Sequence, residues 1–136
     1  MANATYDYYN HQVVAPGTTF TTAATGTTGA GTVVPVAAGA GTGSSTAIPT
    51  GASPNDTRGV FNLVTAGTPA AGAVAIVYFA NPYSQVPGAV VASAVDTSNS
   101  NAPVSIGVVA DATKITFYTG ALTTAHTVQI SYQVEA

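Results

Sequence analysis

Val128-Gln129-Ile130-Ser131-Tyr132-Gln133-Val134-Glu135 alternates apolar and polar residues without a break. Successive side chains of an extended chain point to opposite sides. Val128, Ile130, Tyr132 and Val134 therefore share one face, and Gln129, Ser131, Gln133 and Glu135 the other. This is the pattern of an antiparallel strand with one face on a core and the other turned outward. Working back along the chain, Ile115 and Phe117 oppose Thr116 and Tyr118 in the same way. Val74–Phe79 is a continuous apolar run, as expected of a strand covered on both faces. Further strands are expected at 60–65, 89–95 and 104–110. The breaks between them fall at Thr68-Pro69, Asn81-Pro82, Val86-Pro87, Ser98–Pro103 and Asp111-Ala112. No window shows a capped apolar stripe of helical period, and β-branched residues dominate, so essentially no α-helix is expected.

Residues 1–58 have a different texture. Gly-Thr-Thr-Gly-Ala-Gly-Thr at 26–32 and Ala-Gly-Ala-Gly-Thr-Gly-Ser-Ser-Thr at 38–46 are low-complexity stretches separated by short apolar pieces at 12–15, 18–22 and 32–36. Such a segment buries too little apolar area to offset its own ordering entropy. It reads either as a flexible tail and linker or as an arm ordered by a partner. Four aromatics, Tyr6, Tyr8, Tyr9 and Phe20, favour the arm, because aromatic side chains anchor interfaces. The fold class expected is therefore all-β: an antiparallel β-sandwich of about six strands over residues 59–136, preceded by an extended N-terminal arm and linker over 1–58.

Composition narrows the function. Only 5% of the 136 residues are charged, and the net charge is −3 with Arg58 and Lys114 the two basic side chains. A typical soluble domain carries about 25% charged residues. A surface of hydroxyls, small side chains and backbone suits close packing against a neighbour, so a permanent partner or a homo-oligomer is expected. Two cations do not support gripping nucleic acid by counterion release. The chain has no cysteine, which removes disulfides and thiolate chemistry. The N-terminus lacks a basic region followed by an apolar one, and no apolar run reaches the roughly 18 residues of a membrane span. Neither a signal peptide nor a membrane segment is expected.

No catalytic constellation emerges. His11 and His126 sit far apart, without the spacing of a metal site, so no metal and no cofactor are expected. Asp7, Asp56, Asp96, Asp111 and Glu135 fall singly, mostly in expected turns, where Asp serves local hydrogen bonds. There is no Gly-x-Ser-x-Gly elbow, and the glycine runs lack the lysine and following helix of a phosphate loop. The chain reads as a non-enzyme. The polar loop 96–101 offers Asp96, Ser98, Asn99 and Asn101 as acceptors for a sugar hydroxyl, or forms a plain turn.

The order of Gly59-Val-Phe-Asn-Leu-Val-Thr-Ala-Gly-Thr-Pro-Ala-Ala-Gly, Val77-Tyr-Phe-Ala-Asn-Pro-Tyr with Val86-Pro87 and Val90-Val91, Val108-Val-Ala-Asp-Ala-Thr-Lys-Ile-Thr-Phe and the closing Val128–Val134 strand resembles a domain common in bacteriophage fibres and other virion surface proteins. The layout is also similar to that of the H-type lectins, small six-stranded trimeric sandwiches. A short chain with an N-terminal Met and its own arm further resembles the capsid decoration proteins of tailed phages. These resemblances imply a homotrimeric virion protein on the capsid exterior, assembled in the host cytoplasm. Its arm (Tyr6, Tyr8, Tyr9, His11, Val13, Val14, Phe20) would bind the major capsid protein. The alternative is a tail-associated or fibre-knob module that recognises a host glycan through the 96–101 loop. Neither nucleic acid nor membrane is an expected partner.

Overall fold

The computed structural model describes residues 18–135, together with the backbone of residues 5–7 and 12–14. Strands β1 (Thr5–Asp7) and β2 (Gln12–Val14) pair antiparallel as a two-stranded ladder of their own. Then come β3 (Thr21–Thr22), β4 (Thr32–Pro35), a single helical turn α1 (Ala37–Ala40) and β5 (Ser45–Ala47). The remainder is β6 (Arg58–Val64), β7 (Gly72–Tyr78), β8 (Ala89–Asp96), β9 (Ala102–Val104), β10 (Ile106–Ala110), β11 (Lys114–Thr119) and β12 (Thr127–Glu135). Two five-stranded sheets result, in the orders β10-β11-β7-β4-β3 and β5-β6-β12-β8-β9. The chain is an all-β sandwich, as the alternation implied.

The longer strands turn one side inward. Phe61 and Leu63 of β6, Val128 and Ile130 of β12, Val74 and Val77 of β7, and Ile115 and Phe117 of β11 are fully buried between the sheets. Phe61 and Phe117 meet edge to face with ring centroids 5.5 Å apart, and Phe117 also lies against Tyr132 at 6.0 Å. This geometry directs the positive edge of one ring at the negative face of the other. The outward residues of β12, Gln129, Ser131, Gln133 and Glu135, are more exposed than their inward neighbours, as their polarity demands.

The expected boundary at residue 59 is corrected by the structure. β3 and β4 belong to the first sheet and β5 to the second, so residues 20–47 help build the sandwich. Phe20, expected to contact a capsid, is a core side chain only 2% exposed, and Val33 and Ala40 are fully buried. The reason is cooperative. These short apolar pieces cannot form a core alone, but they complete one whose other half is supplied by β6 and β7. β4 pairs with β7 through Val33↔Val77 and Val34↔Ile76, and β5 pairs with β6 through Thr46↔Leu63. Of the glycine-rich stretches, 26–32 turns the chain from β3 to β4 within the first sheet, and 38–46 carries it from β4 through α1 to β5 of the second.

Candidate functional site

The loop Asp96-Thr97-Ser98-Asn99-Ser100-Asn101 joins β8 to β9 and is built as a turn. The Asp96 carboxylate accepts from the Ser98 N–H at 3.0 Å, the Asn99 N–H donates to the Asp96 carbonyl at 3.1 Å, and the Ala102 N–H donates to the Asn99 carbonyl at 3.0 Å. Ser100 and Asn101 hold φ values of 51° and 58°, a left-handed conformation that short polar residues tolerate best. The loop is then tied to the start of β12. Thr97 donates to the Thr127 carbonyl through both its N–H and its hydroxyl, at 2.9 and 3.0 Å, and Ser98 Oγ accepts from the Thr127 N–H at 2.9 Å.

Asp96 Oδ2 lies 2.6 Å from His126 Nδ1. Two of the four acceptors expected to face a sugar thus already hold intramolecular bonds, Asp96 as a buried side chain and Ser98 as an exposed one. Asp96 and Asn99 line a cleft of about 280 Å³ with Pro103, Ser105, Gly120, Leu122 and Thr123, and Asn101 is exposed. The Asp96–His126 contact spans 30 residues and has no local sequence signal. The register Val128↔Asp96 between β12 and β8 creates it. The nearby Thr65 hydroxyl donates to the Thr123 carbonyl at 2.6 Å and accepts from the backbone N–H of His126 at 3.0 Å. The group is therefore a structural tie between three chain segments. Replacing Asp96 with Ala is expected to lower unfolding free energy by about 2 kcal/mol, the scale of hydrogen bonds to a charged acceptor, measured by urea denaturation.

A second polar group forms the corner at 54–58. Asn55 Oδ1 accepts from the Thr57 N–H and hydroxyl and from the Arg58 N–H, at 2.9, 2.8 and 3.2 Å. The Asp56 carboxylate accepts from the N–H groups of Ala80 and Asn81 at 2.7 and 3.0 Å. Two phenols close the corner: Tyr132 donates to the Asn55 carbonyl and Tyr83 to the Asp56 carbonyl, both at 2.7 Å. Burial first, and then the Asp56 charge, push both phenol pKa values above the ordinary tyrosine value. A folded-state pKa above the unfolded one contributes stability that is complete below pH 10 and is lost as pH rises through the folded value. Thermal stability should therefore decline above pH 10. Tyr132→Phe should flatten that decline while costing about 1 kcal/mol at pH 7 for the lost bond, read from Tm across a pH series.

Asp111 plays a similar capping role in the β10–β11 turn. Its carboxylate accepts from the Thr113 hydroxyl and N–H and from the Lys114 N–H, and these bonds hold its pKa below the usual carboxylate value. Asp56, Asp96 and Asp111 thus all serve backbone N–H groups; Asp96 and Asp111 do so within their own turns, as their positions suggested, whereas Asp56 reaches Ala80 and Asn81 across the fold.

Of the arm residues, Tyr8, Tyr9 and His11 lie outside the described residues. Tyr6 falls in β1 and Val13 and Val14 in β2, where the backbone pairing alone is described. The outward faces of the sandwich are charge-poor. On the first sheet Val109 is 61% and Tyr118 41% exposed, with Lys114 near the Tyr78 ring at 6.0 Å. On the second sheet, Val60, Ser93, Val95, Gln129 and Ser131 lie between Arg58 and Glu135 near one end and the loop of Asp96 at the other. No protein-family model, curated protein or solved structure matches the chain.

Proposed function

We propose that this chain is a structural virion protein that binds and stabilises a capsid surface as a decoration or head-fibre protein. The observation that carries the reading is the charge-poor exterior of a well-packed sandwich. Val91 and Val109, both more than half exposed, stand on opposite sheets among threonine, serine and glutamine. Flat, neutral surfaces of this kind pack closely against a protein lattice without desolvating charge. The polar clusters brace turns, which leaves the described residues with the chemistry of a scaffold. The mechanism is mechanical: each bound copy ties neighbouring capsid subunits together, so pressure from packaged DNA must also break its contacts. Residues 1–17, with Tyr6, Tyr8 and Tyr9, supply the aromatic anchor.

The test is binding to capsids assembled without the protein, comparing the full chain with one that starts at Thr18, which retains both sheets. The full chain is expected to decorate capsids and raise their disruption temperature, and the Thr18 chain to bind at least tenfold more weakly. Absence of binding by the full chain overturns the reading. A receptor-binding role rests on the Asn99–Thr123 cleft beside the 96–101 loop. Saturable binding to a bacterial-surface polysaccharide, lost on Asn99→Ala, would favour it instead.

A further inference from the structure

The registers of the second sheet lay out its outer face. Alternate residues of each long strand divide between core and solvent. Arg58 and Val60 of β6, Gln133 and Glu135 of β12, and Val91 and Ser93 of β8 therefore look outward, while Phe61, Val134 and Ala94 look inward. Gln133 stands between Arg58 on one side and Val91 on the other, and Ser131 between Val60 and Ser93. Arg58, Val91, Ser93, Gln133 and Glu135 are all exposed.

Two features of this face complement each other in a way that one copy cannot satisfy. The first is charge. Arg58 and Glu135 are the two charged side chains that the strands of this sheet turn outward, and among the described residues neither enters an ion pair. Glu135 lies one strand across and two residues along from Arg58. On the lattice of an antiparallel sheet, ~4.8 Å between strands and ~3.4 Å per residue, that step is about 8 Å. The second is relief. Ser93 and Ser131 face each other as a pair of short side chains beside the larger pair Val91 and Gln133. A groove of about 260 Å³ opens between the two pairs, with Val91, 57% exposed, as a knob on its rim. From the centre of the groove, Val91 lies half a strand across and one residue along. This is the direction of the step from Arg58 to Glu135, at half its length.

A two-fold axis lying between two stacked sheets exchanges points across its own line. An axis midway between Arg58 and Glu135 sets Arg58 of each copy over Glu135 of the other. Stacked sheets lie about 10 Å apart, a gap that an arginine and a glutamate side chain span together. On the same lattice, that line passes within about 1 Å of the midpoint between Val91 and the groove, so each Val91 enters the groove of the facing copy. We propose that the outer face of the second sheet is the contact surface of a homodimer, two copies stacked face to face about this axis. Their strands cross at about 70°, near the orthogonal class of sheet packing. The occupant is a second copy because the knob, its groove, the cation and its anion all belong to one face, at the spacings that one symmetry axis requires. Val91 and the groove form the buried centre of the contact. The two Arg58–Glu135 pairs lie at its rim, where charge sets orientation more than affinity. The dimer covers Val91 and leaves the Val109 and Tyr118 face of the first sheet to other partners, so it stands independently of capsid binding.

Sedimentation equilibrium on the full chain and its variants tests the proposal. The full chain is expected to be a dimer. Arg58→Glu and Glu135→Arg each bring like charges together at both rim contacts, and each is expected to weaken the dimer by about tenfold or more. Their combination restores opposite charges in exchanged positions. It is expected to return the dissociation constant to within about threefold of its starting value, a rescue that damage to the fold does not produce. Ser93→Tyr fills the groove from an exposed position and is expected to leave a monomer with native amide dispersion, and this result decides if either reversal unfolds. A monomeric or trimeric full chain, a dimer indifferent to Ser93→Tyr or to the separate reversals, or a double variant as weak as either reversal alone overturns the proposal. None of these readouts involves a capsid.

Discussion

A chain beginning at Gly59 is expected to be unfolded, whereas one beginning at Thr18 retains the sandwich. Cutting at 59 removes β4 and leaves β7, an interior strand of the first sheet, with an open edge along Val77, Ile76 and Ala75. It also strips Phe20, Val33 and Val34, each 2% exposed or less. Burial of such side chains is worth about 1.5–3 kcal/mol apiece, so these three account for roughly 5–9 kcal/mol. A domain's whole margin is about 5–15 kcal/mol, and the β5–β6 ladder and the Phe20–Pro54 bond go as well. The expected readout is loss of amide dispersion and gain of dye binding in the 59–136 chain, with native dispersion in the 18–136 chain. Native dispersion in the shorter chain would show that residues 20–47 are an accessory and not part of the core.

The next largest effect is expected at Gly41, which ends α1 with φ 89° and ψ 157°, a combination open essentially to glycine alone. Its Cα faces the chain at Ala66, where the Ala66 N–H bonds to the Ala40 carbonyl at 3.1 Å. A Cβ at position 41 would overlap the Ala66 carbonyl and crowd the Pro69 nitrogen at 3.3 Å. Gly41→Ala therefore combines conformational strain with a backbone clash, and a loss above about 3 kcal/mol is expected. Gly26 is the control. It also has positive φ, 84°, but a Cβ there meets nothing within 4 Å. Gly26→Ala should cost about 1–2 kcal/mol, the conformational part alone. Equal losses at the two sites, by urea midpoint, would contradict the close approach of residues 41 and 66.

The strands of residues 59–136 were legible because their period is local. Val128 to Glu135 alternates in sequence as it does in space, and the apolar run Val74 to Phe79 marked a strand, although Ile76 and Tyr78 on its outer side are half-buried and not fully covered. Residues 20–47 were not legible as sandwich. A two-residue strand at Thr21 and a four-residue one at Thr32 have too few positions to show a period, and the burial of Phe20, Val33 and Val34 depends on β6 and β7, which lie further along the chain. Phe20 illustrates the ambiguity. An aromatic in a weakly patterned segment reads equally as an interface anchor or as a core residue, and long-range pairing decides between them. The turn chemistry of Asp96 and Asp111 was readable because Asx bonds close within two or three residues. The bond from Asp96 to His126 depends on strand register, as do the two phenols that close the 54–58 corner.

The place of β12 has a consequence for how the molecule comes into being. β12 is the central strand of the second sheet, bonded to β6 on one side and β8 on the other, yet it is the last strand of the sandwich in chain order. During synthesis β6 and β8 emerge long before the strand that joins them, with Phe61, Leu63 and Ala94 still lacking their cover. The first sheet, by contrast, is complete once β11 has emerged. The two halves therefore become competent at different times, and a nascent chain stalled before Thr127 carries one finished sheet and one with its middle missing. The interval between those moments is when this chain most needs shielding from its neighbours.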